Sequence, residues 1–257
     1  MGHGRYKILA CIPAYEEEEN IGHVVRGALK YVDMVIVCDD GSKDATAEIA
    51  RRAGAIVLRH EQNLGYGAAL RTLFNAAKRL NPDIMVVLDA DGQHDPSYIP
   101  SLVKPIVSGK VDIVVGSRFL SKTEMPAYRR LGIKIITWLI RLVAYPYLQD
   151  AQSGFRAYDR RAIKLINIVE PGMGASTEIL LKAAVYGLRI GEVPVRIRYT
   201  AAAHALSPWK HGIAVLLVTL KHVIIYLFKK SFMKLVRLLG RKGSDEVCEL
   251  PKALGYF

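Results

Sequence analysis

At 257 residues, 51% of them apolar, the chain suits one large or two small domains with an ample buried core. Its three cysteines, an odd count with no spacing pattern, argue against a disulfide framework or a zinc site and fit a reducing, cytoplasmic setting. The formal net charge is +12, and the stretch 193–244 contributes ten lysines and arginines with no Asp or Glu, which points to an anionic partner: nucleic acid, a membrane surface or a phosphorylated substrate.

Apolar runs of strand type stand at 7–13, 34–39, 55–59, 84–89 and 112–116. The first is too short for the core of a signal peptide, so no leader is expected. Amphipathic helix patterns fill the gaps at 18–31, 44–53, 65–80 and 97–107. Near-continuous apolar strands alternating with helices predict an α/β fold, with a mostly parallel sheet covered on both faces. In such sheets ligands bind beyond the carboxyl ends of the strands. The second half is less regular. A basic helix is expected over 127–148, a turn or strand at 153–158, helices at 160–169 and 177–187, and a strand at 189–199. One or two helices follow over 211–239, and a weakly ordered terminus beyond 243.

The polar motifs of the first half fall at strand ends. Asp89-Ala90-Asp91-Gly92-Gln93 closes the fourth strand. Side chains at i and i+2 of a strand point the same way, so Asp89 and Asp91 can converge on one hard cation. Magnesium or manganese is commonly held by one or two carboxylates plus phosphate oxygens. Pro13-Ala14-Tyr15-Glu16-Glu17 ends the first strand, where proline stops the pairing and aims the loop. Cys38-Asp39-Asp40-Gly41-Ser42-Lys43-Asp44 ends the second. An acidic pair there can accept hydrogen bonds from a base and a ribose; Asp40 is assigned to the ligand, and Asp44 to the start of the next helix.

Together these motifs resemble the family-2 glycosyltransferases, with Asn63-x-Gly65-x-Gly67 and Gly116-Ser117-Arg118 completing the order. Asp150-x-x-Ser153-Gly154-Phe155-Arg156-Ala157 and Glu192-Val193-Pro194-Val195 are similar to stretches of the polyprenyl-phosphate sugar synthases within that family. The resemblance implies a glycosyltransferase-A type fold and a nucleoside pocket lined by Pro13, Tyr15, Glu17 and Asp40. It implies that Asp89, Asp91 and Gln93 hold Mg2+ or Mn2+ against the diphosphate of a GDP- or UDP-linked sugar. Arg118 would face the phosphates or the acceptor, and Arg129 or Arg130 would help bind the acceptor phosphate. The catalytic set is then Asp91, Arg118 and Arg130, and inversion at the anomeric carbon is implied. Glu16 stands where the family most often has Asn. The three alanines at 201–203 replace a Gly- and Ser-rich loop of relatives, although Ser207-Pro208-x-Lys210-His211-Gly212 resembles its end.

A polyprenyl phosphate is already ionised at neutral pH and needs no general base, so the chain's task is to hold two anions near each other. Arg118, Arg129, Arg130, Arg156 and Lys210 are the candidates. Glu178, in a helix, is expected at the surface. The run 213–228 carries Lys221 and His222 and is too short and too charged to span a bilayer. With the basic, apolar continuation to Leu239 it suits an interfacial helix; packing on the catalytic domain or on a second subunit is the alternative. The expected organisation is a catalytic domain over 1–210, with a nucleotide half (1–118) and an acceptor half (119–210). Membrane-docking helices over 211–243 and a flexible tail over 244–257 follow. The implied partners are a nucleotide sugar, a polyprenyl (dolichyl-type) phosphate and an anionic membrane at its cytoplasmic face, with an oligomer allowed. No nucleic-acid module accompanies the basic tail. A glycolipid or a phosphorylated small molecule is the alternative acceptor.

Overall fold

A computed structural model describes residues 6–121, 125–197 and 208–239, without the side chains of 208–214, 229 and 232–239. A seven-stranded sheet organises the chain: β1 (Ile8–Ala14), β2 (Met34–Asp39), β3 (Ile56–Arg59), β4 (Ile84–Val87), β5 (Ile113–Ser117), β6 (Arg156–Asp159) and β7 (Ile190–Pro194). The spatial order is β3-β2-β1-β4-β6-β5-β7. All neighbours run parallel except β6, which pairs antiparallel with both β4 and β5. The order reverses at β1 and β4, so a crevice opens beyond their carboxyl ends.

Alternate residues of each strand enter separate cores, as the 2-residue period of a strand requires. Leu9, Cys11, Met85, Val87, Ile113 and Val115 face one apolar cluster, and Ala10, Ile12, Val86, Leu88 and Val114 face the other. The second cluster is covered by α1 (Ile21–Ala28), α2 (Thr46–Arg52) and α4 (Ile99–Val107), the last preceded by a 3-10 turn at Pro96–Tyr98. The first is covered by α3 (Tyr66–Leu80), α5 (Ala127–Val143), α6 (Arg160–Leu165), α7 (Ala175–Val185) and α8 (Pro208–Leu239).

Several expected boundaries shift. Helix α1 starts three residues later than its pattern, because Glu17 to Asn20 form a turn in which Asn20 and Ile21 N–H both donate to the Glu17 carbonyl. Helix α5 ends at Val143, five residues short: Tyr145 and Leu148 turn into the core, and Arg141 Nε donates to the Pro146 carbonyl at 2.8 Å. The expected helix at 160–169 stops at Leu165, and of the one or two helices expected in the tail the structure has one, which begins three residues early at Pro208. The alanine loop at 201–203 and the tail beyond 239 lie outside the described residues, as does the side chain of Lys210.

Candidate active site

The loops after β1 and β2 are buttoned together by short side chains. Glu16 N–H donates to Ser42 Oγ (2.9 Å), Glu17 N–H to Thr46 Oγ1 (2.8 Å) and Glu18 N–H to Asp44 Oδ2 (3.2 Å). Asp44 accepts from Thr46 N–H at 3.0 Å, but the N-cap of α2 is Ala45, so Asp44 stands one residue before the helix-start position expected of it. Asp40 folds the next loop. Its carboxylate meets His60 Nδ1 (2.6 Å), Leu64 N–H (3.0 Å) and Gly65 N–H (2.8 Å), while still lining the crevice.

The crevice has a volume of about 370 Å³, and its walls include Pro13, Tyr15, Glu17, Asp40, Asp89 and Asp91. Asn63, Tyr66 and Met173 join them, roles the motif pattern had not assigned. A second cavity of about 190 Å³, between α7 and α8, has none of these carboxylates in its walls. Pairing in β4 ends at Val87, so Asp89 and Asp91 lie in a loop beyond the ladder. Gln93 follows in the same turn, its N–H donating to Asp91 Oδ1 at 2.9 Å. Tyr66 Oη donates to Asp89 Oδ1 at 3.4 Å. Gly154 backs the Asp89 carboxylate: a Cβ there would stand 2.8 and 2.9 Å from its two oxygens and would displace that side chain.

The charges in this crevice are mutually unfavourable. Desolvation raises Asp89 to about 6 although its side chain keeps 33% exposure, and Arg118, Tyr66 and Arg156 pull it back only in part. Asp91 is raised by burial and then by Asp89. Burial likewise raises Glu17; a hydrogen bond from Asn20 opposes the rise, and Asp91 and Asp89 add to it. Carboxylates gathered in one desolvated site, where Asp89 raises Asp91 and both raise Glu17, make a cation-accepting pit. Among the described residues no three His, Cys, Asp or Glu side chains could hold an ion by themselves. The hard-oxygen pair therefore fits Mg2+ or Mn2+ that keeps further oxygens from a diphosphate or water.

The arginines divide. Arg118 is a fixed fork: Nε and Nη2 donate to the two Asp150 oxygens at 2.6 and 2.7 Å, close enough to Asp89 to lower its proton affinity. Arg129 is half-buried and favours the ionised Asp91, whereas Arg130 is exposed on α5. Arg156, expected among the acceptor-phosphate residues, has its guanidinium turned to the main chain. It is 2% exposed and donates to the carbonyls of Ser153, Ser176 and Ala151 at 2.8, 3.0 and 2.8 Å, so it braces the wall around Gly154. The expectation for Glu178 is also corrected. It is 3% exposed, accepts from Val169 N–H and Glu170 N–H, and pairs with Lys182 at 2.8 Å.

The family model for glycosyl transferase family 2 matches residues 9–166. The chain belongs to that family. It is a glycosyltransferase with a mostly parallel, glycosyltransferase-A-like sheet. It is 34% identical over 216 residues to the UDP-N-acetylglucosamine–dolichyl-phosphate N-acetylglucosaminyltransferase of Methanococcus voltae, covering 75% of this chain and 86% of that one. It is 34% identical to the dolichyl-phosphate hexose transferase of Haloferax volcanii, covering 78% and 87%. Among solved structures, glucosyl-3-phosphoglycerate synthase from Mycobacterium tuberculosis with UDP superposes with a TM-score of 0.67 at 26% identity, over 85% of this chain and 80% of that one. The same enzyme has been solved with Mn2+, UDP-glucose and phosphoglyceric acid.

Proposed function

We propose that this glycosyltransferase moves a sugar from a GDP- or UDP-linked donor to a polyprenyl phosphate of dolichyl type, with inversion, at an anionic membrane surface. One helix carries the reading. Helix α5 brings Arg129 to the carboxylate pit and presents Tyr128, Leu131, Ile135, Trp138 and Leu142 to solvent, from 41% to 63% exposed. Their 3-4-3-4 spacing is one helix face, so the same element joins an anion site to an apolar strip. Helix α8, packed on α5, exposes Leu217, Ile224, Leu227 and Phe228. An acceptor with an anionic head and an isoprenoid tail has that shape. The names of the archaeal relatives support the same acceptor.

In this reading residues 1–210 form the catalytic domain and 211–243 the docking segment. Pro13, Tyr15, Glu17 and Asp40 hold the nucleoside. Asp89 and Asp91, with Gln93 in the same turn, would hold Mg2+ or Mn2+, which when bound offsets the charge growing on the leaving diphosphate. Arg118, fixed by Asp150, and Arg129 or Arg130 hold the acceptor phosphate in line with the anomeric carbon. No proton has to be removed from a phosphate nucleophile. Glu178, locked under the Val169–Glu170 main chain, is not required to act as a base. A phosphorylated small molecule is the second reading, favoured by the fold's likeness to the phosphoglycerate-using synthase.

A Mn2+-supplemented panel of UDP- and GDP-sugars, each offered dolichyl phosphate, undecaprenyl phosphate or phosphoglyceric acid, separates the two. Transfer to the lipid phosphates is expected. Turnover on phosphoglyceric acid alone would establish the second reading instead.

A further inference from the structure

His94 sits outside every role assigned above, yet it is 4% exposed and wedged under the carboxylate loop. Its Nδ1 accepts a hydrogen bond from the main-chain N–H of Asp89 at 3.0 Å. Its ring stacks on Phe155, with centroids 5.0 Å apart and planes at 28°. Phe155 follows Gly154, the residue that backs the Asp89 carboxylate. The main chain of His94 makes a single antiparallel bridge to Ile197. The imidazole thus closes the loop from its last residue back to its first.

That closure matters because no ladder holds the carboxylates. Strand pairing has ended at Val87, and within the loop Asp91 is fixed by the local turn to Gln93 N–H. An acceptor at Nδ1 also sets the tautomer, since a nitrogen that receives an amide hydrogen carries none itself. Asp89 Oδ2 lies 3.5 Å from the same nitrogen, which leaves this carboxylate unpaired with it and available to the crevice.

We propose that His94 is a positioning residue, whose Nδ1 holds the Asp89 main chain and so sets the spacing of Asp89 and Asp91 for a divalent cation. The proposal rests on the reading that those carboxylates take the cation. Partners that orient metal ligands typically govern about 10- to 100-fold in metal affinity.

Three variants separate the acceptor from the ring. His94→Asn places an amide oxygen near the Nδ1 position, keeping the acceptor without the ring. His94→Gln loses the ring and puts its amide one bond too far. His94→Phe keeps the stack on Phe155 and has no acceptor. Mn2+ binding is measured by paramagnetic resonance of free Mn2+, alone and with UDP or GDP, alongside the melting temperature. His94→Phe and His94→Gln should lose about 10- to 100-fold in Mn2+ affinity, and His94→Asn should stay near wild type. Equal affinities for His94→Asn and His94→Gln would overturn the proposal, even if His94→Phe failed to fold. Asp91→Ala serves as the reference. Weakened binding there with no change in the His94 variants refutes the positioning role alone, whereas unchanged binding there overturns the metal reading and the proposal with it.

Discussion

Glu16 has a φ of 54°, in the left-handed region that β-carbon sterics disfavour and that Asn tolerates better than most residues. An Asn at this position would hold the same backbone conformation with less strain. The Glu16 main-chain N–H is held by Ser42 Oγ, so the loop retains the conformation at a cost. Glu16→Asn is expected to stabilise the protein by about 0.5–1 kcal/mol, read as a higher denaturation midpoint at unchanged slope; a lower midpoint would contradict this. The places of Asp40 and Asp89 on the crevice wall could be read from the sequence, because each follows closely on the end of an apolar strand. Those of Arg156 and Glu178 could not, because their partners are decided elsewhere. Ser176 O lies twenty positions from Arg156, and the main chain at Val169 is reached by Glu178 only once the loop before α7 has folded back. His94 was hidden for another reason: within the motif it reads as a spacer, and its value depends on Phe155 arriving from β6.

Strand β6 was the least legible element. Four residues, two of them charged, give little periodicity, and nothing local says that they enter antiparallel between β4 and β5. The strands before it were legible because burial on both faces demands continuous apolar runs. Beyond β6 the β5–β7 pair closes the sheet, and Asp112 fastens its start. Asp112 accepts from Arg189 N–H at 2.7 Å and from its Nη2 at 2.9 Å. Hydrogen bonding to Arg189 holds the Asp112 carboxyl below its ordinary value against the opposing effect of burial. A depressed folded value means that the unfolded chain binds the proton more readily. The stabilisation is therefore full above the unfolded carboxylate range near about 4 and is lost as pH falls through the lower folded value. Because Arg189 is largely exposed, Asp112→Asn should cost only about 1–2 kcal/mol at neutral pH. The difference from wild type should shrink in acid melts; a gap that stays constant down to the acid transition would show that Asp112 acts through packing alone.

Among the described residues, charge and exposed apolar side chains meet on one pair of packed helices, α5 and α8. Monomeric proteins rarely present large contiguous apolar patches without a partner. The strip on α5 is flanked by the exposed Lys134 and Arg141, and Lys221 is exposed on α8. No described helix is long and apolar enough to cross a membrane, so the geometry suits a helix pair lying in the interface, with bases toward lipid phosphates. Each base near an anionic surface contributes about 1 kcal/mol, and that part is screened by salt, whereas burial of Trp138 and Leu142 is not. The protein is therefore expected to sediment with phosphatidylserine-containing vesicles, with salt releasing much of it. Trp138→Glu with Leu142→Glu should abolish the salt-resistant fraction and leave the melting temperature nearly unchanged, because both side chains are more than half exposed. Ile224→Glu with Phe228→Glu, both exposed on α8, should weaken docking and turnover on long polyprenyl phosphate more than turnover on a short soluble analogue. The competing occupant is a second copy of the chain. If the full-length protein ignores vesicles but dimerises, and the variant with Trp138→Glu and Leu142→Glu is monomeric, the strip is a subunit interface and the lipid acceptor must be reached by another route.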